Sequence, residues 1–126
     1  MRWPDLREVL QGVSWAVCGA VATRLYMPER ATADLDILIR QADSAATQRL
    51  LEEHGFVHQG DLGIGGSTWR SPEGVEVDII ERSDPWVPEA LDRARDNRDL
   101  QGLPILPLPY QVLMKLQASR GQDLAD

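Results

Sequence analysis

Residues 34–40, with the sequence D-L-D-I-L-I-R, constrain the fold more than any other stretch of the chain. Leu35, Ile37 and Ile39 alternate with Asp34 and Asp36, and successive side chains of a β-strand point to opposite faces. The stretch therefore predicts a strand with one face in an apolar core. Its two carboxylates leave together from the other face, at one end of the strand.

The segments before this strand predict a helix, a second strand and another helix. Leu6, Val9 and Leu10 recur at helical spacing behind a proline, which predicts a short helix over residues 4–10. The apolar run S-W-A-V-C at 14–18 predicts a buried strand, and Gly19 then opens an alanine-rich helix over 20–26. The loop M-P-E-R-A-T connects that helix to the acidic strand.

The segments after it predict a helix, a hairpin and two further helices. We expect Ser44 to be the N-cap of a helix that has Ala45, Leu50 and Leu51 on its inner side and ends at His54-Gly55. Hairpin strands over 64–71 and 75–81 flank the turn residues 72–74, with sequence P-E-G. A charged helix over 88–98, an extended proline-rich segment over 103–108 and a helix over 110–120 follow. We expect a single domain over residues 1–126, of class α/β (α+β), with a mixed sheet flanked by helices.

Composition excludes several classes of protein. No apolar run approaches the roughly 20 residues that a membrane helix needs, and the N-terminus does not resemble a secretory signal, so we expect a cytoplasmic protein without a membrane partner. A single cysteine, Cys18, cannot form an internal disulfide or a thiolate zinc site. A net charge of -7 argues against a surface that neutralises nucleic-acid phosphates in general, although a local basic patch could hold one strand or one triphosphate.

A third carboxylate is expected beside the first two. On the strand over 75–81, Val75, Val77 and Ile79 share one face and Asp78 points to the other. Three carboxylates on neighbouring strands suit one or two Mg²⁺ ions that also bind substrate phosphates. Taken alone, D-L-D fits equally a solvated strand edge whose charge discourages aggregation.

The glycine turn upstream adds weight to the metal hypothesis. Gly19 opens a predicted helix, where free backbone N–H groups and the helix dipole can receive a phosphate. The alternative is a tight connection without a ligand. The four tryptophans are scattered and are expected to pack. His54 and His58 are expected at a helix end and in an exposed loop, and the glycine-rich residues 63–67 in a flexible approach to the hairpin.

Three stretches of the chain carry a family resemblance. They are V-C-G-A-V-A-T-R-L-Y-M-P-E-R-A-T-A-D-L-D-I-L-I, V-E-V-D-I-I and the C-terminal stretch from Leu103. Together they resemble the DNA polymerase beta-like nucleotidyltransferases. The AbiEii-type branch, associated with toxin and antitoxin pairs, is the most similar. The resemblance covers about residues 14–126. It implies a nucleotidyltransferase fold. Related chains usually continue beyond the position of Asp126, so it also implies that a C-terminal helix is missing here.

Residue by residue, the resemblance implies a metal site and a phosphate site. Asp34 and Asp36 match the metal-binding pair, Asp78 matches the third acid, and Gly19 matches the first glycine of the family. Ala20 departs from the second Gly or Ser of many members. Its N–H remains for a triphosphate, but a hydroxyl contact is lost.

Three further positions match the branch. Arg30 and Thr32 match its R-x-T. Arg30 could hold a phosphate or pair with the acids, and the role of Thr32 could be limited to shaping the turn. Lys115 matches a helix lysine, followed by an R-x-x-D at Arg120 and Asp123. Without the family pattern, Lys115 is a lysine whose stem lies along an apolar stripe while its charge reaches solvent.

The implied activity is transfer of a nucleoside monophosphate from an NTP, ATP among them, to a hydroxyl of RNA, protein or a small molecule, with two Mg²⁺ ions as cofactors. A toxin role implies a cognate antitoxin protein as partner. Two alternatives stay open at this point. One is a catalytically silent module that binds a partner protein, and the other is an NTP-binding regulatory domain.

Overall fold

The computed structural model of the protein describes residues 3–19 and 34–125. The predicted helix over 20–26 and the loop after it lie outside the described residues. The helices are α1 (Leu6–Val9), α2 (Ser44–Glu53), α3 (Val87–Ala94) and α4 (Leu108–Ala125), and a 3-10 turn, Gln41–Asp43, precedes α2. The strands are β1 (Trp15–Cys18), β2 (Asp34–Arg40), β3 (Val57–Asp61), β4 (Gly66–Arg70) and β5 (Glu76–Arg82).

The five strands form one mixed sheet in the order β1-β2-β5-β4-β3. β2 and β5 run parallel, and the other neighbouring pairs run antiparallel. The mixed sheet with flanking helices matches the predicted class, and the predicted bounds of the acidic strand are those of β2.

Apolar clusters cover both faces of the sheet. Leu35, Ile37 and Ile39 of β2 are buried in the larger cluster, together with Leu6 of α1 and Leu51 of α2. The smaller cluster contains Ala16, Cys18 and Leu38 from the sheet with four residues of α3, and Tyr110 and Met114 of α4 pack against it. Because residues of a strand alternate, Asp34 and Asp36 share the face of Leu38 and α3.

The start of α2 differs from the prediction. Asp43 takes the N-cap position without a capping hydrogen bond from its side chain, and Ser44 is the first helical residue. The Ser44 hydroxyl donates instead to Glu81 Oε2 at 2.8 Å, so it joins the helix to β5. Ala45 is exposed, whereas Leu51, which was predicted on the inner side, is buried together with Thr47, and Leu50 packs partly buried against the core. The predicted end at His54-Gly55 is confirmed, since Gly55 has φ +82° and Phe56 N donates to Leu51 O.

The edge strand β3 was not predicted. Four of its five residues, V-H-Q-G-D, are exposed, so no apolar alternation marks it in the sequence. His58, expected in a loop, pairs in register with Trp69. The two rings meet edge-on, with their centroids 5.1 Å apart. The glycine-rich residues 63–67 form the turn from β3 into β4 and the first residues of β4, and Gly66 has no room for a Cβ beside Ile79 O.

The chain after β5 follows its predicted order with shifted bounds. The charged helix α3 is shorter than expected, and α4 is longer. The predicted extended segment is confirmed up to Pro107, because Val17 N donates to Pro104 O and Leu106 N donates to Val17 O, beside the edge strand β1. Leu108 already belongs to α4. Among the described helices, none has the length and apolarity to cross a bilayer.

Candidate active site at the amino ends of β2 and β5

Four carboxylates form a two-by-two array where the parallel strands β2 and β5 begin. Asp36 lies opposite Asp78, and Asp34 lies opposite Glu76. Residues two apart on a strand share a face, so all four side chains leave the same side of the sheet. The structure thus brings the three acids singled out in the sequence onto one surface.

The inner pair of this array is partly buried and hydrogen-bonded. Burial raises the pKa of Asp36 to about 6, and the carboxylates of Asp78, Asp34 and Glu76 and a hydrogen bond with Asp78 add to the increase. Desolvation and like charge both disfavour an ionised carboxyl. This position therefore favours a proton or a cation as a partner.

The outer pair contains a residue that the sequence analysis missed. Asp34 raises the pKa of Glu76, with burial as the next cause, and the two carboxyls are also hydrogen-bonded. Both side chains are exposed. The signal for Glu76 was available, since V-E-V-D places it two residues before Asp78 and therefore on the same face.

Gly19 lies against the inner pair. It has φ +67°, a conformation that favours glycine, and an added Cβ would stand 2.1 Å from Asp36 Oδ2. The preceding residue, Cys18, pairs in register with Asp36. The backbone at the end of β1 therefore contacts the acid directly. Burial, and then the charges of Asp36 and Asp78, raise the pKa of the Cys18 thiol, which opposes formation of the reactive thiolate.

Thr68 orients the third acid. Its hydroxyl donates to Asp78 Oδ1 at 2.8 Å from the antiparallel strand β4, where the two residues are register partners. This contact was not predicted from the sequence. The predicted turn at 72–74 could have located it, because a hairpin centred on Glu73 places Thr68 opposite Asp78.

Lys115 is exposed on α4, the helix that packs on this face through Tyr110 and Met114. Its participation in the site stays a prediction. The described structure brings Gly19 to the acids. Ala20, Arg30 and Thr32 lie outside the described residues, as do the side chains of Arg120 and Asp123.

The carboxyls are paired two by two rather than arranged around one point. In the described part of the chain, no group of three or more His, Cys, Asp or Glu side chains is positioned to hold a metal ion as it stands. Asp36 is hydrogen-bonded with Asp78, and Glu76 with Asp34. The donor chemistry nevertheless fits a hard cation, since all the ligands are carboxylate oxygens.

Comparison with known proteins shows the fold. Neither protein-family models nor curated protein sequences give a match. Among solved structures, a "putative nucleotidyltransferase" from Thermotoga maritima is similar, with a TM-score of 0.64 over 95% of this chain and 86% of that chain. The two sequences are 18% identical. The predicted nucleotidyltransferase fold is thereby confirmed.

Proposed function

We propose that the protein is a metal-dependent nucleotidyltransferase that moves a nucleoside monophosphate from an NTP to a hydroxyl acceptor. The observation that carries this proposal is the register of Asp36 opposite Asp78 on adjacent parallel strands. Asp34 lies on the same face, and Gly19 touches Asp36. The fold shared with the Thermotoga maritima protein supports the same class of reaction.

The carboxylates of Asp34, Asp36 and Asp78 would hold Mg²⁺, two ions when the substrate is present. Bound Mg²⁺ supplies a Lewis acid that activates the acceptor hydroxyl and neutralises charge on the leaving pyrophosphate. In the reaction, the acceptor oxygen bonds to the α-phosphorus and gives up its proton to water, the bond from that phosphorus to the bridging oxygen breaks, and pyrophosphate leaves.

The other residues would bind and orient the substrate. The backbone at Gly19 and Ala20 receives the triphosphate, and Arg30 and Lys115 add positive charge to it. Thr68 keeps the Asp78 carboxylate in a fixed orientation through the hydroxyl that donates to Oδ1.

The AbiEii-type resemblance suggests a more specific role. Within this proposal, the chain is the toxin of a pair, its acceptor is RNA, a protein hydroxyl or a small molecule, and an antitoxin protein is its partner. The reaction itself does not depend on that role.

A transfer assay tests the proposal. The protein is incubated with each of the four α-labelled NTPs, Mg²⁺, and bulk RNA or lysate protein, and label on the acceptor is measured together with released pyrophosphate. Asp36→Asn is the inactive variant. Asp96→Asn, which removes an exposed carboxylate of the turn after α3, is its matched control.

The expected result is label on one acceptor class, lost in Asp36→Asn and kept in Asp96→Asn. Calorimetry with Mg²⁺ and NTP separates the alternatives. NTP binding without transfer to any acceptor would indicate a regulatory domain, and neither binding nor transfer would indicate a silent partner-binding module. Either result would overturn the proposal.

A further inference from the structure

A pocket lies at the opposite end of β1 from the carboxylates. It has a volume of about 270 Å³ and opens between α1, the segment before β1 and the carboxyl end of α3. Trp15, the first residue of β1, lines it, whereas Cys18 at the other end of the strand pairs with Asp36. The strand therefore separates the pocket from the candidate active site.

Three arginines from three different segments line this pocket: Arg7 of α1, Arg95 at the end of α3, and Arg98 in the loop that follows. The chain as a whole carries a net charge of -7. A convergence of guanidinium groups is unfavourable unless carboxylates or a bound anion compensate it. The pocket is thus a local basic site on an acidic protein.

Two of the guanidinium groups are held in place by protein atoms. Arg98 Nε donates to Arg95 O at 2.8 Å, and its Nη1 donates to Gly102 O at 2.6 Å. Arg7 is held by the Asp5 carboxylate, since its Nε donates to both oxygens and its Nη2 to Oδ2, and its Nη1 occupies the space that a Cβ of Gly102 would fill. Each guanidinium has five N–H donors, so both retain donors for a ligand.

Nearby carboxylates compensate these charges only in part. Asp5 pairs with Arg7, while Asp99 and Glu8 act on Arg7 as more distant charges. Asp99 Oδ1 already accepts from the backbone N–H groups of Gln101 and Leu103. Asp92 Oδ1 lies 3.9 Å from Arg95 Nη1, at the limit of an ion pair, and the Arg95 side chain is 67% exposed.

The remaining wall of the pocket is partly apolar. Leu10, Trp15, Leu91 and Pro104 contribute apolar surface, while Gln11 and Ser14 contribute an amide and a partly exposed hydroxyl. Arginine groups that converge from different directions match a tetrahedral phosphate better than a planar carboxylate. An apolar wall beside them accommodates the ring or carbon skeleton attached to that phosphate.

We propose that this pocket binds a small phosphomonoester, with its phosphate on Arg7, Arg95 and Arg98 and its organic part against the apolar wall. The volume is just below the roughly 300–1,000 Å³ of sites for drug-sized ligands, so the ligand is small. The proposal does not depend on the function of the four carboxylates. No divalent cation is needed, because the arginines supply the positive charge.

Calorimetry in EDTA with AMP, inorganic phosphate and adenosine as separate probes tests this site. EDTA removes divalent cations, so that the carboxylate cluster does not contribute. Arg95→Gln removes one lining charge and leaves Arg7 and Arg98 with their protein partners. Arg93→Gln is the matched control, because it removes the same charge from the same helix at an exposed residue that pairs with Glu89 and does not line the pocket.

We expect AMP to bind, phosphate to bind more weakly, and adenosine to bind least. Arg95→Gln should weaken AMP binding by about tenfold or more, the usual effect of losing a charged hydrogen bond. Arg93→Gln and Asp36→Asn should leave the affinity within about twofold of the original protein. Affinity should also fall as salt is added.

The absence of AMP binding would overturn the proposal, as would an equal loss of affinity in Arg95→Gln and Arg93→Gln. Adenosine binding as tight as that of AMP would also overturn it, because the arginines would then contribute nothing. Persistence of AMP binding in Asp36→Asn, together with absent transfer activity in the original protein, would support this pocket while rejecting the proposed nucleotidyltransferase reaction.

Discussion

Asp36 lies directly opposite Asp78 on two parallel strands, and this pairing brings two partly buried carboxyls into contact. The pKa of Asp36 rises to about 6 as a result of burial and of its acidic neighbours. Crowded anions of this kind destabilise a folded protein unless a proton or cation joins them. The pairing links the stability of the protein to the chemistry proposed for it.

Asp36→Asn is expected to abolish transfer and to stabilise the metal-free protein. The substitution removes one of the crowded charges while it keeps the size of the side chain. At neutral pH we expect a gain of about 1–2 kcal/mol in the free energy of unfolding, after allowance for solvent screening of a partly exposed group. Urea unfolding in EDTA measures it, with Asp96→Asn as the control. A large loss of stability would show instead that Asp36 supports the fold.

The stability of the metal-free protein should fall as pH rises through the pKa of Asp36. The ordinary pKa of this carboxyl is 3.8, and folding raises it to about 6. The folded state therefore binds the proton more tightly, and this contribution is fully present below about pH 4 and lost above about pH 6. Unfolding free energies of the original protein and of Asp36→Asn, measured between pH 4 and 7.5, should diverge over this range. Parallel curves would contradict the prediction.

Gly19→Ala should be strongly destabilising, with a cost of about 2 kcal/mol or more. The added Cβ meets Asp36 Oδ2, and φ +67° is itself unfavourable for alanine. Gly74→Ala is the control, because Gly74 has φ +86° with nothing within 4 Å of an added Cβ, so it reports backbone strain alone. When Asp36 is also replaced by glycine, the loss of stability caused by Gly19→Ala should shrink toward that of Gly74→Ala. Thermal or urea unfolding of Gly19→Ala, Gly74→Ala, Asp36→Gly and the double variant measures this.

Thr68→Val should impair transfer with a modest effect on stability. The substitution keeps the β-branched shape and removes the hydroxyl that donates to Asp78 Oδ1. We expect the Mg²⁺ concentration for half-maximal activity to rise several-fold, because the carboxylate loses its fixed orientation. Thr68→Ser keeps the hydroxyl and should retain most activity. An unchanged Mg²⁺ requirement in Thr68→Val would limit Thr68 to packing.

Lys115→Ala should leave the free energy of unfolding within about 0.5 kcal/mol, because the side chain is exposed. If the family pattern applies, the same variant reduces transfer or NTP affinity, since an ammonium–phosphate contact exists only with substrate bound. Lys115→Arg should then restore little activity, because a planar fork replaces a compact charge. Unchanged turnover in Lys115→Ala would remove this residue from the site.

Local sequence patterns were sufficient to predict an element wherever a single strand or a single turn defined it. Alternation in D-L-D-I-L-I-R predicted β2, and the turn residues 72–74 predicted the hairpin of β4 and β5. The same rules would have reached Glu76 and Thr68, had they been applied to the partners of Asp34 and Asp78. Edge strand β3 could not be predicted in this way, because its exposed residues have no apolar period.

The sequence alone determined which carboxylates share a strand face, because side-chain direction in a strand depends only on the parity of residue numbers. Tertiary structure decided which residues stand opposite each other. The parallel pairing of β2 with β5 comes from long-range packing, and it sets Asp36 against Asp78 and Asp34 against Glu76. The arginine pocket likewise joins Arg7 to Arg95 and Arg98, some ninety residues later in the sequence, and no local pattern encodes that proximity.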